Sequence, residues 1–144
     1  MWQLLAIVGL MALSAPGAEP DAAVITDSGS TNRPGFRIVV EQSGTAELTS
    51  TPRKSRARDG HAKPVRKSLP GDVAKRFHAD LDAAKPFGSL PVVHCMKSAS
   101  FGSTMTIEFG GEQTPDLKCG DGGNGAMRDL IRDANEIVAL VQAN

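Results

Sequence analysis

The amino-acid sequence predicts an α+β domain: an antiparallel sheet of four to six strands built from two hairpins, with two amphipathic helices packed on one face. Three observations carry this expectation. Two stretches alternate apolar and polar residues around a short glycine turn, two others repeat their apolar residues at helical spacing, and no βαβ unit with a long crossover joins them.

Residues 2 to 13, WQLLAIVGLMAL, form an apolar run without a charge, followed by the small-residue stretch SAPGAEP. This pattern reads as a secretory signal peptide over residues 1–17. The run is shorter than the about 20 apolar residues that a bilayer-crossing helix needs, so no transmembrane span is expected after processing. The chain is expected to be secreted or periplasmic. Residues 18–34 are mostly small and polar, with only Val24, Ile25 and Thr26 able to start a strand, and read as a loosely ordered N-terminal arm. Residues 35–144 are expected to form a single domain.

Within that domain, FRIVVEQSGTAELTS reads as a hairpin. Phe36, Ile38 and Val40 alternate with Arg37, Val39 and Glu41, a Gln42-Ser43-Gly44 turn follows, and Ala46 and Leu48 continue the alternation. Residues 51–67 hold seven basic residues and two prolines with hardly a hydrophobe, so they read as a flexible basic loop that buries too little surface to offset its ordering entropy. Val73, Phe77, Leu81 and Ala84 share one stripe and predict a helix over 70–84, introduced by Ser68 and Pro70 and ended near Lys85. LPVVHCM reads as a short buried strand. Met105, Ile107 and Phe109 alternate with Thr104, Thr106 and Glu108, Gly110-Gly111 makes a turn, and Pro115 confines the returning segment EQTPDLKC to a sheet edge. A last helix carries Met127, Leu130, Ile131, Ala134, Ile137, Val138 and Val141 on one broad face, with Asn124 as its N-cap.

With five Phe, no Tyr and a single Trp inside the leader, the core must rest on aliphatic side chains. The only two cysteines, Cys95 and Cys119, are expected to form a disulfide in an oxidising compartment. The net charge is zero but unevenly spread: −3 over residues 19–50, +6 over 51–67 and −3 over 68–144. This balance gives no case for specific nucleic-acid binding.

The most motif-like stretch is KCGDGGNGAM, whose glycines at 120, 122 and 125 spell G-x-G-x-x-G before a helix. A dinucleotide site needs a second parallel strand ending in an acid about 20 residues later. Here the helix itself uses up the chain, so the glycines read as the bend between a cysteine-anchored segment and a helix. His61, His78 and His94 lack the partner spacing of a metal site, no G-x-S-x-G is present, and Lys97 with Ser98 or Ser100 matches a Ser–Lys pair in composition alone. No catalytic, cofactor or metal residue is therefore assigned. The strongest surface signal is basic: Arg53, Lys54, Arg56, Arg58, Lys63, Arg66 and Lys67 would contact a polyanion in a salt-dependent way.

These features predict a monomeric, exported, non-catalytic binding module whose partner is a protein or an anionic envelope component, with inhibitors of extracellular enzymes as one subtype. Two alternatives stand beside it. One is a secreted hydrolase with dispersed catalytic residues, and the other is polyanion binding through the basic loop.

Overall fold

A computed structural model describes residues 21–53 and 62–143. The expected signal peptide, along with Lys54, Arg56, Arg58 and His61, lies outside the described residues. The strands are β1 (Ala23–Asp27), β2 (Gly35–Val40), β3 (Thr45–Thr51), β4 (Val65–Ser68), β5 (Met105–Phe109) and β6 (Glu112–Gln113), and the helices are α1 (Gly71–Ala84) and α2 (Gly125–Gln142). All six strands join one antiparallel sheet in the order β4-β3-β2-β1-β5-β6, so the fold is α+β as the sequence predicts.

Two tight connections set the register. Val40 pairs with Ala46 across the β2–β3 turn, and Phe109 with Glu112 across the β5–β6 turn. Because directly paired residues point to the same side, Ile25, Ile38, Leu48 and Ile107 form one row across four strands. Both helices cover that side. Phe77 and Leu81 of α1, and Met127, Leu130 and Ile137 of α2, join the strand residues in one buried cluster. The opposite side carries Thr26, Arg37, Glu47 and Glu108 and faces water, as one face of an antiparallel sheet commonly does.

The helix termini follow their sequence signals unequally. Asn124 caps α2 as expected, its side chain accepting from the Met127 amide at 2.9 Å. No side chain caps α1, because its N-cap position is taken by Pro70, which has no side-chain acceptor. The helices are tied to each other by Arg76 of α1, which reaches Asp133 at 3.0 Å and also Glu136 on α2. Burial, and then Asp133, hold the nearby Asp80 carboxyl above the ordinary carboxylate range.

Several segments depart from the sequence reading. The described part of the 18–34 arm is not loose, since Ala23–Asp27 is a central strand with neighbours on both edges, and Ala23 and Ile25 are fully buried. Ladders on both sides supply what five residues ending in an aspartate lack in propensity. The basic loop is shorter than 51–67, because Val65–Ser68 pairs with β3. LPVVHCM is not a strand, and the returning edge segment narrows to Glu112–Gln113 followed by a 3-10 turn at Leu117–Cys119. Proline explains part of this: Pro115 follows the last paired residues and Pro91 cannot donate to a ladder.

His78 is the odd member of the core. Its ring is buried between Phe77 and Phe109, and among the described residues neither ring nitrogen has a hydrogen-bond partner. Burial pushes its pKa below the ordinary 6.5. Below pH 6.5 the unfolded chain takes up a proton that the folded chain resists, so the contribution of His78 to stability is complete above pH 6.5 and is lost as the solution is acidified below it. The expected result is that His78→Leu flattens this part of the curve of unfolding free energy against pH, and raises stability by about 1 kcal/mol through loss of an unsatisfied polar group. Urea titrations from pH 5 to pH 8 measure it. An unchanged slope would assign the pH dependence to other groups.

Candidate functional site

After α1 the chain makes a 3-10 turn at Phe87–Ser89, buries Leu90, and then leaves the core as a long connection to β5. Pro91 and Val93 are half-buried on either side of the exposed Val92, the alternation of an extended chain, and from His94 to Ala99 every residue is exposed. Among the described residues no hydrogen bond involves the backbone of Val92 to Met96. The segment lies outside the sheet, and its shape comes from what its inward residues touch.

The glycine bend is what they touch. A Cβ on Gly122 would lie 3.0 Å from Val93 Cγ2 and 3.2 Å from Pro91 Cγ, and the residue has a φ of +59° that favours glycine. Beside this seat Cys95 is bonded to Cys119, with the two Cα atoms 5.3 Å apart. The bend follows a 3-10 turn rather than a strand, and every ladder is antiparallel, so the parallel-strand setting of a dinucleotide fingerprint is not present among the described residues.

Lys97 fixes the next position. Its ammonium donates to the Ser103 carbonyl at 2.8 Å and to the carboxylate of Asp116. Burial raises the Asp116 pKa, but Lys97 and the amides of Met105 and Lys118 outweigh it and hold the carboxyl below the usual range. The second half of the connection turns at Ser98, whose carbonyl accepts from the Gly102 amide, and is held from the other side by residues just after β1. Ser30 donates through its hydroxyl to the Ser100 carbonyl at 2.8 Å, and the Asn32 amide donates to the same oxygen at 3.1 Å.

Beneath the connection lies a buried carboxylate. Asp27, at the end of β1, accepts from the Gly29 amide at 2.8 Å, from Lys118 Nζ at 2.6 Å and from Ser103 Oγ at 3.3 Å. Ser103 and Lys118 are also 2.6 Å apart. A serine touching a lysine has the parts of a nucleophile and base. Here the lysine amine is committed to a carboxylate and Ser103 is 5% exposed, so the trio forms a closed brace between β1, the connection and the 3-10 turn.

Outside the braces three large apolar side chains stand in water. Val92 is 67% exposed, Met96 101% and Phe101 61%; the other large exposed apolar side chains among the described residues are Val65 and Leu140, elsewhere on the fold. An open cleft of about 330 Å³ runs beside Met96 and Phe101, with Arg33, Lys97 and Lys118 on its walls. Connections held by a rigid scaffold are the usual carriers of binding residues.

The residues singled out in the sequence divide between this site and other places. Cys95 and Cys119 form the expected bridge within it. Lys97 lies in it too, but bonds the Ser103 carbonyl and Asp116 rather than the hydroxyl of Ser98 or Ser100. Of the basic set, Arg53 and Lys63 are exposed, Arg66 pairs with Glu47 at 2.6 Å, and Lys67 donates to the Ala143 carbonyl. The structure thus spends two of these cations on contacts within the fold. His94 is exposed on the connection and His78 is buried in the core. Among the described residues no group of three or more His, Cys, Asp or Glu side chains is placed to hold a metal ion, and no helix is long and apolar enough to cross a membrane. Sequence reasoning missed Val92, Met96 and Phe101. A valine pair beside a cysteine reads as core, and only its seating on Gly122 turns alternate side chains outward.

No protein-family model matches the chain, and a comparison with curated proteins finds no matching relative.

Proposed function

We propose that this chain is an exported binding module and that the braced connection 91–104 is its contact surface for a protein partner. One observation carries the reading: Val92, Met96 and Phe101 project from a segment whose neighbouring residues are fixed by a disulfide, a glycine seat and a buried ion pair. Apolar side chains held in water by a rigid frame lose little conformational freedom on association, so more of the contact energy appears as affinity. The disulfide accords with an oxidising compartment, and the leader-like first residues accord with export.

A photo-crosslinking residue placed at position 96 or 101 tests this in the host envelope, with the same residue at position 37 on the water-facing side of the sheet as control. The expected result is a discrete crosslinked partner from 96 and 101 and none from 37. Met96→Asp combined with Phe101→Asp is expected to reduce partner capture from position 92 by about 100-fold, the effect of losing two interface anchors. Equal crosslinking from position 37 would place the contact surface elsewhere. Retention on heparin is expected to depend on Arg53, Lys54, Arg56, Arg58 and Lys63 rather than on residues 92–101, which separates protein contact from simple polyanion binding.

A further inference from the structure

We propose that the partner is an extracellular serine endopeptidase and that residues 92–97 occupy its substrate cleft, with Met96 in the primary specificity pocket. This rests on the reading of the connection as the contact surface. Three features of the segment match what such a cleft recognises. An endopeptidase cleft takes its substrate as an added strand, through main-chain hydrogen bonds with alternate side chains entering pockets. The backbone of Val92 to Met96 has those groups unused among the described residues, and every second residue of the segment, Val92, His94 and Met96, is exposed.

The second feature is the position of Met96. It is the most exposed large apolar residue of the described chain, and both of its neighbours are fixed: Cys95 through sulfur to Cys119, and Lys97 through its ammonium to Ser103 and Asp116. A long, unbranched apolar side chain standing between two anchored residues suits a deep hydrophobic pocket.

The third feature concerns what cleavage would achieve. Hydrolysis of the Met96–Lys97 bond puts the hydroxyl of water on the Met96 carbonyl carbon and a proton on the Lys97 nitrogen. Neither new end then leaves. The Met96 side stays tied through the adjacent disulfide, and the Lys97 side stays tied through its ion pair and the Ser103 carbonyl. With the products held in place, resynthesis competes with release and the peptidase remains occupied.

The intact oxidised chain is titrated against three serine endopeptidases of subtilisin-like, chymotrypsin-like and trypsin-like specificity, with hydrolysis of a short chromogenic peptide as the readout. The expected result is competitive inhibition of at least one of the first two, and little of the third, whose pocket carries an acid. Met96→Asp is expected to weaken that inhibition by about 100-fold, and Met96→Lys to transfer it to the trypsin-like enzyme. Both variants should keep the parent's unfolding midpoint, because the Met96 side chain stands in water. Reduction and alkylation of the two cysteines are expected to turn the chain into a substrate cut after Met96, as the frame is lost.

Absence of inhibition by the oxidised chain at about 10 µM, a concentration that detects any complex of useful affinity, overturns the proposal. So does inhibition that Met96→Asp leaves unchanged. If inhibition is absent while position 96 still crosslinks a discrete partner, the endopeptidase assignment falls and the contact surface stands. If both are absent, both fall.

Discussion

Replacing both bridge cysteines, as Cys95→Ser with Cys119→Ser, is expected to lower the unfolding free energy by about 3.5 kcal/mol. The bridge joins residues 24 positions apart, and closing a loop of that length removes this much freedom from the unfolded chain on the chain-entropy account. Domains of this size have about 5 to 15 kcal/mol in total, so the double variant should unfold at clearly lower urea and with a steeper dependence on denaturant, because the unfolded chain is less compact without the cross-link. A second readout separates the unfolded-state effect from the local one. Limited proteolysis under native conditions should become faster within residues 91–104 by more than the global loss accounts for, because the cross-link that holds the segment beside its seat on Gly122 is lost once Cys95 is released. A loss below about 1 kcal/mol, with the cutting rate unchanged, would mean that the hydrogen bonds and ion pairs alone define the connection.

Phe77→Ala is the other large effect, expected at about 4 kcal/mol. Phe77 is fully buried in α1, where it belongs to the same cluster as the row Ile25, Ile38 and Ile107. Phenylalanine truncation in a core costs about 3 to 5 kcal/mol as the transfer and cavity contributions add. For a domain of this length that corresponds to a fall in melting temperature of about 15 °C. Calorimetry or a circular-dichroism melt measures it. Phe77→Leu, which keeps most of the volume, should lose less than half as much. Equal losses in the two variants would mean that the ring is held by something other than packing.

Much of the fold was legible because its elements repeat at the periods of their secondary structures. The β2–β3 hairpin, the β5–β6 turn and both helices stand where alternation, glycine pairs and the Asn124 cap place them. The Val73, Phe77, Leu81 stripe is buried throughout. What escaped depends on pairing partners far along the chain. Ala23–Asp27 carries no strong strand signal of its own, and becomes central only because β2 and β5 are both present to flank it. Edge strand β4 was hidden by the charges of Arg66 and Lys67, residues that a sheet edge tolerates and a loop also favours.

The candidate site was legible only in its chemistry. The sulfur pair and the glycine bend could be read as a unit, but nothing in PVVHCM tells a strand pointing into the core from one seated on a bend with alternate residues turned out. The buried brace was likewise invisible: Asp27 is 91 residues from Lys118 and 76 from Ser103. Proximity of that kind is a property of sheet order, and a motif search along the chain does not see it.

The division of labour along residues 91–97 has a practical corollary. Pro91, Val93, Cys95 and Lys97 hold the geometry, while among the described residues no hydrogen bond, ion pair or disulfide falls on the side chains of Val92, His94 and Met96, so substitutions at 92, 94 and 96 are expected to spare folding while changing the exposed surface. Such a surface can be re-aimed by ordinary point mutation, or by a combinatorial library restricted to those three sites, without the usual trade between foldability and new affinity. A protein arranged in this way is a ready framework for displaying short peptide sequences in a single fixed shape.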